Sequence, residues 1–243
     1  SDKKQQIVGF TMDYVDGVPI CKLFTNDFRN NNNISPGMTI KLVENMIDGI
    51  VFIHDKKHLQ VDGNEMNYLV DKTFIVPKFI DVNSYQTPSF KATFLMPSIR
   101  DWHAKTFTTL SDWFSFAIVS FQLFVGIHPY KGKHPNYKSS QMEERMKKNI
   151  SVFNKDVSVP ATCRDFSYIP TDFRDWYFKL FEKGERMAPP KVVGLLNITQ
   201  VKVTVIQSTN NFEIETLAEY KEDVVRHFNY FQQHCTITTN HIV

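Results

Sequence analysis

Asp62, Asn67 and Asp81 are the residues of this chain whose types and spacing suit chemistry. Asn67 follows Asp62 by five positions, and Asp81 follows Asn67 by fourteen. Between Asn67 and Asp81 lie two short apolar runs, Tyr68-Leu69-Val70 and Phe74-Ile75-Val76, on either side of Asp71-Lys72-Thr73. That pattern predicts a tight hairpin. A hairpin returns the chain to its starting point, so Asn67 and Asp81 would stand side by side with Asp62 just upstream in a loop. Two oxygen ligands for a hard cation, with a carboxylate placed to accept a proton, are the equipment of phosphoryl transfer. Asp and Asn are also common turn residues, and three of them around a hairpin ordinarily do no more than cap and turn the chain.

The elements that position these residues must come from one sizeable core. The chain has 243 residues, 42% of them hydrophobic, with 21 Phe, which is enough for such a core and a small second module. A net charge of +2 gives no basic field for nucleic acid. Cys21, Cys163 and Cys235 are odd in number, far apart and in no metal spacing, which points to a reduced, cytoplasmic setting. The most apolar run, Trp113 to Phe124, is too short to span a bilayer and contains Ser115, Ser120 and Gln122, so it reads as a buried helix rather than a membrane segment.

Ile7 to Met12 reads as a strand, and a strand at this place needs partners that an upstream segment would supply. Cys21 to Phe28 reads as a short helix. Ser35-Pro36 has the form of an N-cap and first helical residue, and Ile40, Val43, Ile47, Ile50 and Val51 carry a helix to about His54. Gly49 inside it predicts a close neighbour. After the hairpin, Ser84 to Lys105 reads as an extended segment ending near Met96-Pro97-Ser98. Ser111-Asp112 is the predicted cap of the central helix, which stops at Gly126. Helices are also expected over Gln141–Asn149 and Pro170–Glu182. Beyond Pro190, strands are expected at Val201–Val205, Phe212–Ile214 and Thr236–Thr239, with a helix over Glu222–His234. His227, His234 and Cys235 fit no common metal spacing and read as packing.

Taken together, Val8 to about Pro190 resembles the C-terminal lobe of a protein kinase, entered at the last strand of the N-lobe. Met12-Asp13-Tyr14-Val15 resembles the gatekeeper and hinge. Asp62 falls on the catalytic aspartate, Asn67 on the metal-binding asparagine, and Asp81-Val82-Asn83 on the Asp-Phe-Gly motif. Met96-Pro97-Ser98 falls on Ala-Pro-Glu, and Asp112 on the aspartate of the central helix. Gly126-Ile127-His128-Pro129-Tyr130 resembles Gly-x-x-Pro-Phe, and Arg186 resembles the late arginine. The resemblance is strongest to an atypical bacterial and phage group whose catalytic loop reads like Asp-x-Asn-Glu-x-Asn, as Asp62 to Asn67 does here.

The resemblance implies an α+β fold: a mainly α-helical kinase-like C-lobe with a short catalytic β-hairpin over residues 1–190. Residues 191–243 would form a small α+β appendage or the start of a further domain. It implies ATP-dependent transfer to the hydroxyl of a protein substrate. Asp62 would orient and deprotonate the hydroxyl, and Asn64 would stand in place of the usual lysine. Asn67 and Asp81 would hold Mg²⁺. The Asp13 carbonyl and Val15 amide would take the adenine edge, between Met12 and Leu69. It further implies that Asp112 reaches the backbone near Gln60 and Val61.

There are departures from the family. Gln60-Val61 replaces His-Arg, so Thr87, Ser89 and Thr93 lack the arginine that would pair a phosphate on them. Ser98 replaces the glutamate that would pair Arg186. The glycine-rich loop, strand lysine and helix glutamate have no counterpart, so the expectation includes a missing N-lobe segment as partner. The alternative is a pseudokinase or scaffold lobe acting as a protein-binding module.

Overall fold

The computed structural model describes residues 11–191 and, further along, the backbone of two strands, Val224–Tyr230 and Gln233–Thr238. The chain divides into two compact units, Ser1–Thr199 and Gln200–Val243. The fold is α+β, with a small antiparallel sheet beside a larger set of helices in the first unit.

That unit is built around α3 (Thr109–Val125), in which every residue from Ser111 to Val125 is buried. A helix apolar on all faces has to be covered on all faces. α2 (Pro36–Asp55) covers it with Leu42, Val43, Met46 and Ile50, and α5 (Thr171–Phe181) with Phe173, Trp176, Tyr177, Leu180 and Phe181. Phe121 meets Tyr177 and Phe181 edge-on at 5.3 and 5.9 Å, the geometry that aromatic quadrupoles favour. The short helices α1 (Asn26–Asn31) and α4 (Met142–Lys147) complete the unit. Among the described residues no helix is long and apolar enough to cross a membrane.

The cap of α3 differs from the sequence expectation. Thr108 is the N-cap: its side chain accepts the Ser111 N–H at 3.3 Å, and Ser111 Oγ accepts the Thr108 N–H at 2.8 Å. This is a reciprocal box with Ser in the place of Glu. Asp112 lies one residue further in, and its carboxylate is drawn to other donors. At the far end Gly126 adopts φ +88° and returns its N–H to Gln122. The last carbonyls are taken by two arginines. Arg164 donates to Gln122, Leu123 and Phe124, and Arg29 to Leu123. Cations are favoured at this end of a helix, but neither brings an anion with it. Burial, with Arg164 close by, pushes the Arg29 guanidinium down to about 10.

Ser35 caps α2 through the Met38 N–H at 3.2 Å, with Pro36 as first helical residue, as its sequence requires. Gly49 has its close neighbour: a Cβ there would stand 2.5 Å from the Phe79 ring. The sheet order is β1 (Val18–Pro19), β2 (Tyr68–Val70), β3 (Pro77–Phe79), with Leu69 opposite Pro19 and Lys78.

Three expectations are corrected. The second hairpin strand is Pro77–Phe79, three residues beyond Phe74–Val76. Asp71 accepts the Thr73 hydroxyl at 2.7 Å and the Val76 N–H at 3.2 Å, and Phe74 sits at φ +59°, which no strand residue can adopt. The run is therefore a wide turn, and the Phe74 ring packs edge-on against Phe28. Secondly, Thr11 and Met12 form no strand, and Met12 is 62% exposed; the rest of the expected strand, Ile7–Phe10, lies outside the described residues.

Thirdly, the expected helix over Glu222–His234 is replaced by an antiparallel hairpin of β4 (Val224–Tyr230) and β5 (Gln233–Thr238), with Tyr230 opposite Gln233. Val224, Val225, Phe228 and Tyr230 are β-branched or aromatic, and that preference outweighed the helical spacing. The expected strand at Thr236–Thr239 falls largely on β5, while those at Val201–Val205 and Phe212–Ile214 lie outside the described residues.

Candidate active site

The loop after α2 begins with a two-way bridge between Leu59 and Gln86, both N–H···O distances being 2.9 Å. Gln60 and Val61 then bend sharply. The Asp62 N–H donates to the Gln60 carbonyl at 2.7 Å across Val61, which is buried and has φ +59°. A β-branched residue in the left-handed region costs about 1–3 kcal/mol and persists only where its surroundings over-determine it. Here Asp112 does so. Its Oδ2 accepts the Gln60 N–H at 2.8 Å and its Oδ1 the Val61 N–H at 2.9 Å, while His54 Nε2 donates to Oδ2 at 2.9 Å. The central helix thus reaches out through one carboxylate and fixes the two residues before Asp62.

Within the loop the side chains hold one another. Asn67 Nδ2 donates to the Asp62 carbonyl at 2.7 Å, and the Asn64 N–H donates to the same oxygen at 2.9 Å. Asn64, 3% exposed, accepts the Met66 N–H on its own Oδ1 at 2.7 Å, so it folds the loop from inside. Gly63 is required by space: a Cβ would stand 2.8 Å from Gln60 Oε1 and 2.9 Å from the Tyr68 hydroxyl. Those two oxygens are themselves joined by a 2.7 Å bond that Tyr68 donates. Burial raises the Tyr68 hydroxyl well above its ordinary ionisation range, so the donor keeps its proton.

Asp62 is buried, and its Oδ1 accepts the Met96 N–H at 2.9 Å. Asn67 is joined to the far side of the hairpin by the Ile80 N–H, which donates to its carbonyl at 3.1 Å. The next residue, Asp81, is in the left-handed region at φ +57° and opens a 3-10 turn, Val82–Ser84. Its carbonyl takes both the N–H and the hydroxyl of Ser84. Its carboxylate is exposed and has no hydrogen bond from the described residues. Asp62, Asn67 and the start of the Asp81 turn are therefore brought together, as the spacing predicted, although the strand between them is not the one expected.

The chemistry of the donors can be tested against a divalent cation. A carbonyl oxygen only accepts, so the Asn67 amide must present nitrogen to Asp62, and its Oδ1 is left free. With the Asp81 carboxylate this makes two hard oxygen donors without other engagements. Two are what Mg²⁺ takes from a protein when phosphates and water supply the rest. Among the described residues no three His, Cys, Asp or Glu gather as a metal cluster. The donor types of Asn67 and Asp81 are those that a phosphate-borne cation accepts.

The expected adenine-binding residues are less well assembled. Met12 and Asp13 are exposed and Val15 is half-buried. Leu69 lies against Gly17, where a Cβ would be 2.8 Å from its own, and Lys78 Nζ holds the Asp16 carbonyl at 2.6 Å. Leu69 and Asp16 are thus held at the sheet, while Met12 and Asp13 stay in solvent.

Two contacts were not foreseen. Arg186, deprived of a glutamate at Ser98, pairs in fork geometry with Asp101, Nε to Oδ2 at 2.6 Å and Nη2 to Oδ1 at 2.7 Å. Burial works against the Asp101 carboxylate, but Arg186 outweighs it and holds the group below its ordinary range. The signal was present in the sequence three residues after Ser98. The second is His128, whose Nε2–H donates to the Ser98 carbonyl at 2.8 Å while Nδ1 accepts the Tyr130 N–H at 3.2 Å. Burial lowers its pKa to about 4, so the ring is neutral. Both contacts tie the end of the 84–100 segment to the helical core. No family model and no curated protein compared with this chain matches it.

Proposed function

We propose that this chain is the kinase-like catalytic lobe of an ATP-dependent phosphotransferase acting on a protein hydroxyl. The observation that carries the reading is the strained loop that joins Asp62 to Asn67 and is pinned from the central helix by Asp112, with Asp81 one residue beyond the Ile80 N–H bond to the Asn67 carbonyl. Strain of this kind collects where a side chain must be held in one place. Asp62 orients the attacking hydroxyl and takes its proton, using the carboxylate oxygen that Met96 does not occupy. Asn67 and Asp81 hold Mg²⁺, which when bound neutralises charge on the transferring phosphate. Asn64 keeps the loop in shape. The Asp13 carbonyl and Val15 amide take the adenine edge, flanked by Met12 and Leu69. The setting proposed is the cytoplasm, in keeping with free Cys21 and Cys163.

A scaffold reading is favoured by a single observation. Asp62 is only 6% exposed and already accepts a backbone N–H from Met96, as a purely structural carboxylate would.

Radiolabelled ATP and a nucleotide titration on the full-length protein separate the two. Asp62→Asn should slow transfer by roughly 10²–10⁴ with nucleotide affinity kept, and Asp81→Asn should weaken binding of Mg²⁺-ATP. Equal transfer by both variants, or no nucleotide binding at all, would leave the scaffold reading standing.

A further inference from the structure

The 84–105 segment starts at the candidate active site, and with the 131–148 stretch it is rich in cations. Residues 86–105 and 131–148 together carry nine lysines and arginines against three aspartates and glutamates. All three anions are already paired, Asp101 with Arg186, Glu143 with Lys147 and Glu144 with Lys148. Six cations, among them Lys91, Arg100, Lys105 and Lys131, are exposed and have no carboxylate partner among the described residues. The net charge of the whole chain is only +2, so this is a local field rather than a general one.

The two stretches meet at Trp102. The Arg100 guanidinium lies 4.7 Å and the Lys147 ammonium 4.3 Å from the centre of its ring. Each gains a cation–π attraction, yet two like charges on one ring repel each other until an anion answers them. Lys147 keeps only the exposed Glu143 as partner, a contact of little strength. Arg145 fastens the neighbouring loop to α4 through the Gly132 and Lys131 carbonyls.

The strip is continuous with the chemistry. Met96 donates its N–H to Asp62, and Arg100 follows four residues later. Four residues reach at most about 14 Å, a span that an extended peptide covers in about as many of its own residues. We infer that the substrate is a protein segment with acidic side chains within about five positions of the accepting hydroxyl, a distance set by that reach. The side chains would be held by Arg100, Lys147 and their neighbours around Trp102. The inference rests on the phosphotransferase reading for its purpose, but its binding step can be measured without any transfer.

The test is fluorescence anisotropy without nucleotide, using a fluorescein-labelled peptide that carries one serine flanked by glutamates. Versions with glutamine or lysine in their place serve as comparisons. The glutamate peptide should bind about tenfold or more tightly than the glutamine one, a difference that salt erases. Arg100→Glu and Lys147→Glu should each weaken it by about tenfold, with Lys105→Glu as a third reversal and circular dichroism to show that each variant folds. Equal binding of the glutamate and glutamine peptides, or affinity that survives all three reversals, would overturn the inference. So would a single-stranded oligonucleotide that binds more tightly than the acidic peptide and loses affinity in the same variants. Acidic-peptide binding that persists while no phosphoryl transfer is seen would uphold the strip and count against the proposed function.

Discussion

Asp112→Ala is the substitution that bears most directly on how the loop is held. The carboxylate is buried and accepts three hydrogen bonds, from the Gln60 and Val61 amides and from His54. Alanine leaves two buried backbone N–H groups without an acceptor, and each such group costs about 1–3 kcal/mol. It also releases the bend at Val61, whose left-handed backbone is held by the tied amides of Gln60 and of Val61 itself. The loop can recover part of the loss by relaxing toward solvent. A destabilisation of about 3–4 kcal/mol therefore follows, which in a unit of this size lowers Tm by roughly 6–16 °C. Asp112→Asn keeps one acceptor oxygen and should lose about half as much. The assay is urea unfolding followed by tryptophan fluorescence, with Trp113 next to the altered residue and edge-on to His54. A loss below about 1 kcal/mol for the alanine variant would mean that the two amides find water or other partners easily, and the account of the pinned loop would fail.

The pH dependence of stability should show His128. Its folded pKa of about 4 lies below the ordinary value near 6.5, so the unfolded chain binds the extra proton between these values. Stability is fully present above pH 6.5, falls by about 3 kcal/mol as pH drops toward 4, and is level below. His128→Gln should flatten that difference in parallel urea titrations, and an unchanged slope would contradict it. The Asp101–Arg186 fork should give Arg186→Ala a cost of about 3 kcal/mol. The double variant Arg186→Ala with Asp101→Asn should lose clearly less than the two singles added, and strict additivity in a double-mutant cycle would show that the fork is not coupled. Gly49→Ala, ordinarily a gain of about 1 kcal/mol in a helix, should instead destabilise by about 1–2 kcal/mol because its Cβ meets the Phe79 ring. A more stable alanine variant would show that the ring moves aside freely.

How far the sequence reveals this architecture depends on how local each determinant is. The Ser35-Pro36 start of α2 and the Gly126 stop of α3 are written in adjacent residues, and both were legible. The packing of Gly49 was legible as a need, but its partner Phe79 lies thirty residues away and was not. The hairpin shows the opposite case. Phe74-Ile75-Val76 has the composition of a strand, yet Asp71 captures Thr73 and Val76 with its carboxylate and bends the run into a turn. Side-chain capture of the backbone competes with ladder formation, and composition alone does not say which wins. β4 and β5 erred toward helix for a related reason. Val225, Phe228 and Phe231 have a helical spacing, but their types prefer a pleated surface.

The site was legible in its members and not in its enclosure. Asp62, Asn67 and Asp81 are near one another along the chain, and the register that sets Tyr68 opposite Phe79 returns Asn67 to Ile80. Met96, which closes on Asp62, comes from a segment without periodicity, and nothing in its own residue type announces a donor, because the donor is backbone. The same holds for Asp112. Its place was read from a resemblance, and its work is done on the amides of Gln60 and Val61, groups that every sequence possesses. Contacts of a carboxylate with distant backbone are invisible to residue spacing, yet in this molecule they are what fixes the loop. A substitution of Gln60 that keeps its backbone amide should therefore disturb the bond to Tyr68 while leaving both amide bonds to Asp112 intact.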